Sequence, residues 1–312
     1  MILVLLLNIV AAAAYTIGKA ALTYIEPILL ISVRMVIGGL ILLGYLWYFK
    51  RDLMVIRRRD IGLFATVALF LIYLAYVPQF WALQYVSAFK VSFFFNFAPF
   101  ITALLSYLYF HEALSKRQWF GMTIGFIGMI PMFIIPEQTE GMVGTLGAFS
   151  LPDIALIGAV TASVIGWIAM KDCVDRAGYS ILWVNGIGMV GGGLLALPTS
   201  LILEGHPRIL HPTHETLGSF VGSDFAAFAV YTALLIIIGN IIMHNLYSVL
   251  LRQYSPTFLA FSGFTCPLFT AFFGWLFLQE TPSVWFFLSV FLVGCGLYLF
   301  YQQKLNEQSL NA

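Results

Sequence analysis

The groups in this 312-residue chain best suited to chemistry are polar side chains set inside long apolar runs. Asn240, His244 and Tyr247 recur at i, i+4 and i+7, which places an amide, an imidazole and a phenol on one face of a helix. Tyr76 and Gln79 stand one turn apart beside Pro78, and Asn96 stands one turn before Pro99. With Tyr15 and Trp167 these residues offer stacking faces, donors, acceptors and one imidazole able to relay a proton near neutral pH. Such a set suits the holding of a planar or amphipathic organic molecule. Each residue also has a plainer role open to it, a hydrogen bond between helices, and for Asn96 the two roles weigh equally.

The charged residues divide differently. Glu112 and Glu280 end two apolar stretches on opposite faces of the membrane, too far apart to share a substrate. They are expected to be structural or gate-forming, accepting bonds from the first amides of the following helix. Lys19, Arg34 and Lys90 fall toward one side of the bundle. Lys19 has snorkelling to headgroups open to it, whereas Arg34, about two turns into its helix, is expected to pair with Glu26, Glu280 or helix C-terminal carbonyls. Attraction of a carboxylate or phosphate by Arg34 and Lys90 is the functional alternative. His206, His211 and His214 are interleaved with prolines, and the flanking Glu204 and Glu215 are not in ligand spacing, so a solvated loop is expected and no metal or cofactor.

The elements that must position these groups follow from composition. A chain that is 61% hydrophobic and 9% charged, with a mean hydropathy of +0.94, is expected to be solvated by a lipid bilayer, since a soluble surface needs about a quarter of its residues charged. A net charge of +1 argues against a nucleic-acid partner. Cys173, Cys266 and Cys295 form neither a disulfide framework nor a zinc pattern. Met1 leads straight into an apolar run without a basic n-region, so the first segment is read as a retained helix.

The apolar runs predict helices over 2–21, 28–49, 60–84, 87–110, 117–136, 150–170, 179–203, 224–250, 255–278 and 283–302. With the N-terminus inside, eleven basic residues fall on the cytoplasmic side against three outside. This predicts a multi-pass protein of the cell membrane with both termini cytoplasmic. Gly121 and Gly125, and Gly188 and Gly192, are spaced for close helix packing.

An internal repeat organises the whole. Pro99, Glu112, Ser115 and Gly128 recur 168 positions later as Pro267, Glu280, Ser283 and Gly296. A unit of five spans is odd, so the second copy must enter the membrane from the opposite side. The expected fold is therefore all-α, ten transmembrane helices in two inverted five-helix repeats, 1–137 and 150–303, followed by a cytoplasmic tail over 304–312. The same offset pairs Tyr76 with His244, and an offset of 152 pairs Tyr15 with Trp167, which predicts that the four converge near a pseudo-twofold axis.

The Ala82 to Ala88 turn, Pro99, Glu112 with its Leu-Ser step and glycine-bearing helix, the weaker second copy from Leu251 to Gly296, Lys19 and Ser32-Val33-Arg34 carry a resemblance. In these residues the chain resembles the EamA-type branch of the drug/metabolite transporter superfamily. It departs in having Gly186 where Arg34 would map in the second copy, so a symmetrical role for Arg34 is not expected. The resemblance implies a secondary carrier, not an enzyme, with a cavity between its halves lined mainly by the first, third, fourth, sixth, eighth and ninth helices. It implies a small organic substrate of the amino-acid, nucleobase or nucleotide-derivative class, moved by alternating access. Proton or exchange coupling and oligomeric state stay open. A polytopic membrane enzyme would need clustered His, Asp or Glu near one interface, and a channel or scaffold would need polar lining through several helices to form a pore.

Overall fold

The structure, a computed structural model, describes residues 2–110, 115–134, 144–146, 149–205, 224–254, 259 and 262–310. Its helices are α1 (Ile2–Ala21), α2 (Pro27–Phe49), α3 (Arg58–Leu83), α4 (88–110), α5 (Lys116–Ile134), α6 (Leu151–Arg176), α7 (Ile181–Leu203), α8 (Phe225–Gln253), α9 (Gly263–Leu278) and α10 (Val284–Leu310). Strand among the described residues is confined to a two-residue antiparallel ladder, Thr145–Leu146 with Phe149–Ser150. The protein is all-α, and α1, α2, α3, α6, α7 and α8 are each long and apolar enough to cross a membrane. Shorter apolar runs lie in α4, α9 and α10. Leu40, Leu194, Phe225, Phe272 and Phe291 are more than half exposed, as befits a surface solvated by lipid rather than water.

Local chemistry sets the helix starts. Pro27 opens α2, where a missing N–H leaves no bond unmade. Ser87 accepts from the Lys90 amide at the start of α4. Ser150 and Asp153 form a reciprocal capping box on α6. The predicted boundaries hold within a few residues at most described ends, and the predicted start of the ninth helix at 255 lies outside the described residues. Two differ: α6 continues past 170 through a wide π-helical segment, Asp172–Arg176, and α10 runs on to Leu310. The stretch read as a tail is helical because Gln302 to Gln308 contains no glycine or proline and is rich in helix formers.

Small residues bring the helices together. A Cβ on Gly121 would lie 2.6 Å from the Gly296 carbonyl oxygen, and one on Gly296 would lie 2.6 Å from that of Gly121, so α5 and α10 touch backbone to backbone. The α2 and α7 helices pack likewise, with Ser32 Oγ donating to the Gly193 carbonyl at 2.9 Å and Gly186 receiving the Leu43 side chain.

The two helices carrying the predicted site are not uniform. α3 contains a π-helical segment at Val67–Tyr73, and α8 contains one at Ile236–Met243, in nearly matching places of the two copies. In α3 the wider turn precedes Pro78, whose ring cannot accept an ordinary fourth-residue carbonyl contact. A turn with an extra residue also rotates everything after it relative to everything before.

Candidate functional site

A cavity lies inside the bundle, walled by α1, α3, α4, α6, α8 and α9, with Arg34 contributed by α2. Six of the sequence-predicted residues line it: Tyr15, Tyr76, Gln79, Asn96, Trp167 and Tyr247. The Trp167 and Tyr247 rings lie 4.1 Å apart at 32°, forming one aromatic wall. Tyr15 leans on Phe95 with centroids 5.9 Å apart. Asn96 sits in a tight 3-10 turn, Phe95–Phe97, and its Nδ2 has no hydrogen-bond partner among the described residues. Much of the remaining wall is apolar, including Leu7, Ala11, Leu71 and Ile168.

Two predicted members stand elsewhere. His244 lies behind the wall, buried, with Nε2 2.7 Å from the Tyr76 hydroxyl and its ring 5.6 Å from both Tyr76 and Trp167. It orients the lining rather than forming it. Asn240 turns to α2, where Nδ2 donates to the Arg34 carbonyl at 3.2 Å and sits against Gly38. The cause is the π-helical segment: i, i+4 and i+7 share a face only at an ordinary helical twist, and Ile236–Met243 departs from it.

Arg34 does not pair as expected. It is 2% exposed and forms no ion pair among the described residues. Its guanidinium instead lies 4.8 Å from the Tyr76 ring centre and 4.5 Å from that of Phe80. One partner expected for it is engaged elsewhere, since both carboxylate oxygens of Glu280 accept from the Ala88 amide at 3.1 Å and so cap α4. Glu280 therefore serves a helix from the other half of the chain as well as ending its own. Glu112 lies outside the described residues, as do His206, His211 and His214.

The lysines reach inward rather than to headgroups. Lys19 Nζ donates to the carbonyls of Leu83, Gln84 and Val86 at 2.6, 3.2 and 2.8 Å, at the C-terminal end of α3 where a cation is favoured. Lys90 pairs with Asp153 at 3.2 Å, with the two side chains 1% and 0% exposed. Asp153 went unremarked in the sequence, although Ser150 three residues ahead is a capping-box signal. Glu204 was likewise read only as loop; its carboxylate accepts from the amides of Ile28 and Leu29 at 2.7 and 3.0 Å, capping α2 from the end of α7. Among the described residues no three His, Cys, Asp or Glu side chains gather as a metal site.

Comparison with known proteins fits this architecture. The EamA-like transporter family matches residues 1–134 and 150–302, and the chain belongs to that family. It is 29% identical over 290 residues to a protein of Chlamydia muridarum (strain MoPn / Nigg) named S-adenosylmethionine/S-adenosylhomocysteine transporter, covering 92% of this chain and 87% of that one. A protein of the same name from Chlamydia trachomatis serovar L2 is 28% identical, with 92% and 84% covered. Protein PecM of Dickeya dadantii is 25% identical, with 89% and 86% covered. A solved crystal structure shares the fold at a TM-score of 0.64 and 14% identity, covering 98% of both chains. The protein is a multi-pass membrane protein and a metabolite transporter.

Proposed function

We propose that this member of the EamA-like transporter family carries S-adenosylmethionine and S-adenosylhomocysteine through the central cavity, by alternating access between two inverted five-helix repeats. The observation that carries the reading is the aromatic wall of Tyr15, Tyr76, Trp167 and Tyr247 around a largely apolar cavity, in a chain whose curated relatives bear those substrate names. A purine presents two flat faces for stacking, and a sulfonium suits the negative face of an aromatic ring. The substrates join a nucleoside to an amino acid, which unites two classes of molecule that the sequence left as alternatives.

The inverted repeat is supported by contacts between symmetry mates. Tyr76 meets His244, 168 positions away, as residues near a twofold axis do. Lys19 donates to Leu83, and Lys171, 152 positions on, donates to Leu251, 168 positions beyond Leu83. The basic-residue bias puts both termini in the cytoplasm, so the Lys19 end faces outward. Exchange of one substrate for the other accounts for movement without a mid-membrane carboxylate; a proton relay through Tyr76 and His244 is the alternative coupling.

The test is counterflow in liposomes. Vesicles holding purified protein and unlabelled S-adenosylhomocysteine should accumulate labelled S-adenosylmethionine faster than vesicles loaded with buffer alone, and saturably. Failure to bind or exchange either compound overturns the reading.

A further inference from the structure

We infer that Arg34 is the anchor for the substrate's carboxylate, and thereby the residue that separates amino-acid-bearing nucleosides from nucleosides alone. This rests on the function proposed above and deepens it.

Among the described residues lining the cavity, Arg34 is the one charged side chain. The guanidinium carbon of Arg34 lies over the rings of Tyr76 and Phe80, 4.8 and 4.5 Å from their centres. An aromatic face attracts the cation but offers its N–H groups no lone-pair acceptor. Accordingly Nε and Nη2 have no hydrogen-bond partner among the described residues. These two nitrogens form the edge of the fork whose N–H directions match the two oxygens of a carboxylate. On the other side, Nη1 faces Gly239, where an added Cβ would sit 3.3 Å away, so the glycine in the wide turn of α8 leaves the guanidinium its place.

Such an arrangement is poor as structure alone. A buried arginine keeps its charge, and a structural one would be expected to spend its donors on carbonyls or carboxylates, as Lys19 and Lys90 do. Charge decides between the possible anions. One guanidinium in an otherwise uncharged wall neutralises one negative charge, which a carboxylate carries and a phosphate at neutral pH exceeds. The edge is shut away from solvent in this conformation, so the carboxylate reaches it by displacing side chains packed around it. The second copy has Gly186 at the equivalent place, filled by Leu43, so the anchor is single and fixes one orientation of the substrate.

The test compares ligands on purified full-length protein in nanodiscs by calorimetry. The ligands are S-adenosylhomocysteine, its decarboxylated analogue, 5′-methylthioadenosine and adenosine 5′-monophosphate. The unaltered protein should bind S-adenosylhomocysteine at least tenfold more tightly than the other three. In Arg34→Gln that advantage should vanish, while affinity for 5′-methylthioadenosine stays within about twofold, which also shows that the cavity is intact. Arg34→Lys should fall between, because it keeps the charge and loses the fork. Should Arg34→Gln fail to fold, the ligand comparison on unaltered protein still decides. Equal affinity for S-adenosylhomocysteine and its decarboxylated analogue overturns the anchor while leaving the proposed function standing. So does a uniform loss across all ligands in Arg34→Gln, or a preference for the monophosphate. Binding of none of the adenosine compounds overturns the function itself, and the anchor with it.

Discussion

The two ends of the bundle share one latch and, among the described residues, are tied to different degrees. At one end Lys19 takes three carbonyls, Glu280 caps α4, Glu204 caps α2, and Lys90 and Asp153 form a pair shut away from solvent. At the other, Lys171 takes the Leu251 carbonyl at 3.1 Å and shares its charge with Asp175 on its own helix. That pair is 35% and 37% exposed. Among the described residues the helix-to-helix latch is thus duplicated, whereas the reinforcement around it is seen at the Lys19 end; Glu112, the counterpart of Glu280, lies outside the described residues. On the alternating-access reading proposed above each end opens in turn, and unequal ties would give the two openings unequal free energies.

The largest expected difference comes from the ion pairs. Lys90→Met should strand a buried carboxylate and cost about 3–5 kcal/mol, because desolvation is no longer offset by the partner. The double variant Lys90→Met with Asp153→Asn should recover much of that loss, since Asn keeps an acceptor for the α6 cap. Lys171→Met should shift stability by no more than about 1 kcal/mol, as exposed pairs do. Thermal unfolding in one detergent compares all three, and equal losses from Lys90→Met and Lys171→Met would remove the asymmetry.

The middle of the molecule should respond in another way from its ends. Tyr15→Ala, Trp167→Ala and Tyr247→Ala should each lower exchange rate tenfold or more while moving the melting temperature little, because their rings face the cavity. His244→Ala should behave as an intermediate, slowing exchange through the lost Tyr76 bond without abolishing binding. Uptake and melting measured on the same preparations separate the two behaviours; a His244→Ala variant that abolishes binding would place the imidazole in the wall after all. Next in size, Lys19→Met should lower stability by about 1–3 kcal/mol by leaving carbonyls at the end of α3 unpaired. A crosslinking reporter should then show the Lys19 end open more often; no change in opening would make this contact structural only.

How far the sequence was readable follows from which forces act at short range. Helix positions were legible because about 20 consecutive apolar residues have few other uses, and the glycine contacts because only small residues let backbones meet. Tyr15, Tyr76 and Trp167 were found through the repeat, which relates positions that no local pattern connects. Asn240 was misplaced because a π-helical turn leaves no trace in polar spacing. Arg34 was assigned partners by charge alone, yet Glu280 was already spent on the Ala88 amide. Pairing across the bundle, as in Lys90 with Asp153 or Glu204 with α2, depends on which helix ends lie side by side, and that is set by packing of the whole.

The smallest effect expected is the most telling about Glu280. Its two oxygens accept from the Ala88 backbone N–H, at the positive end of α4. Gln keeps an acceptor there and gives up the negative charge, so Glu280→Gln should lose about 0.3–1 kcal/mol of the charge–dipole contribution. Because this cap ties the end of α9 to the start of α4, the loss should show as reduced stability or a changed maximal rate. Gly274 lies against the same carboxylate, with an added Cβ 2.8 Å from Oε2, so Gly274→Ala should mimic the loss by pushing the carboxylate aside. Neither change touches the cavity wall, and the order in which competing nucleosides inhibit uptake should stay as in the unaltered protein. If that order changes in Glu280→Gln, the carboxylate belongs to the binding site, and the division between tied ends and a selective centre does not hold.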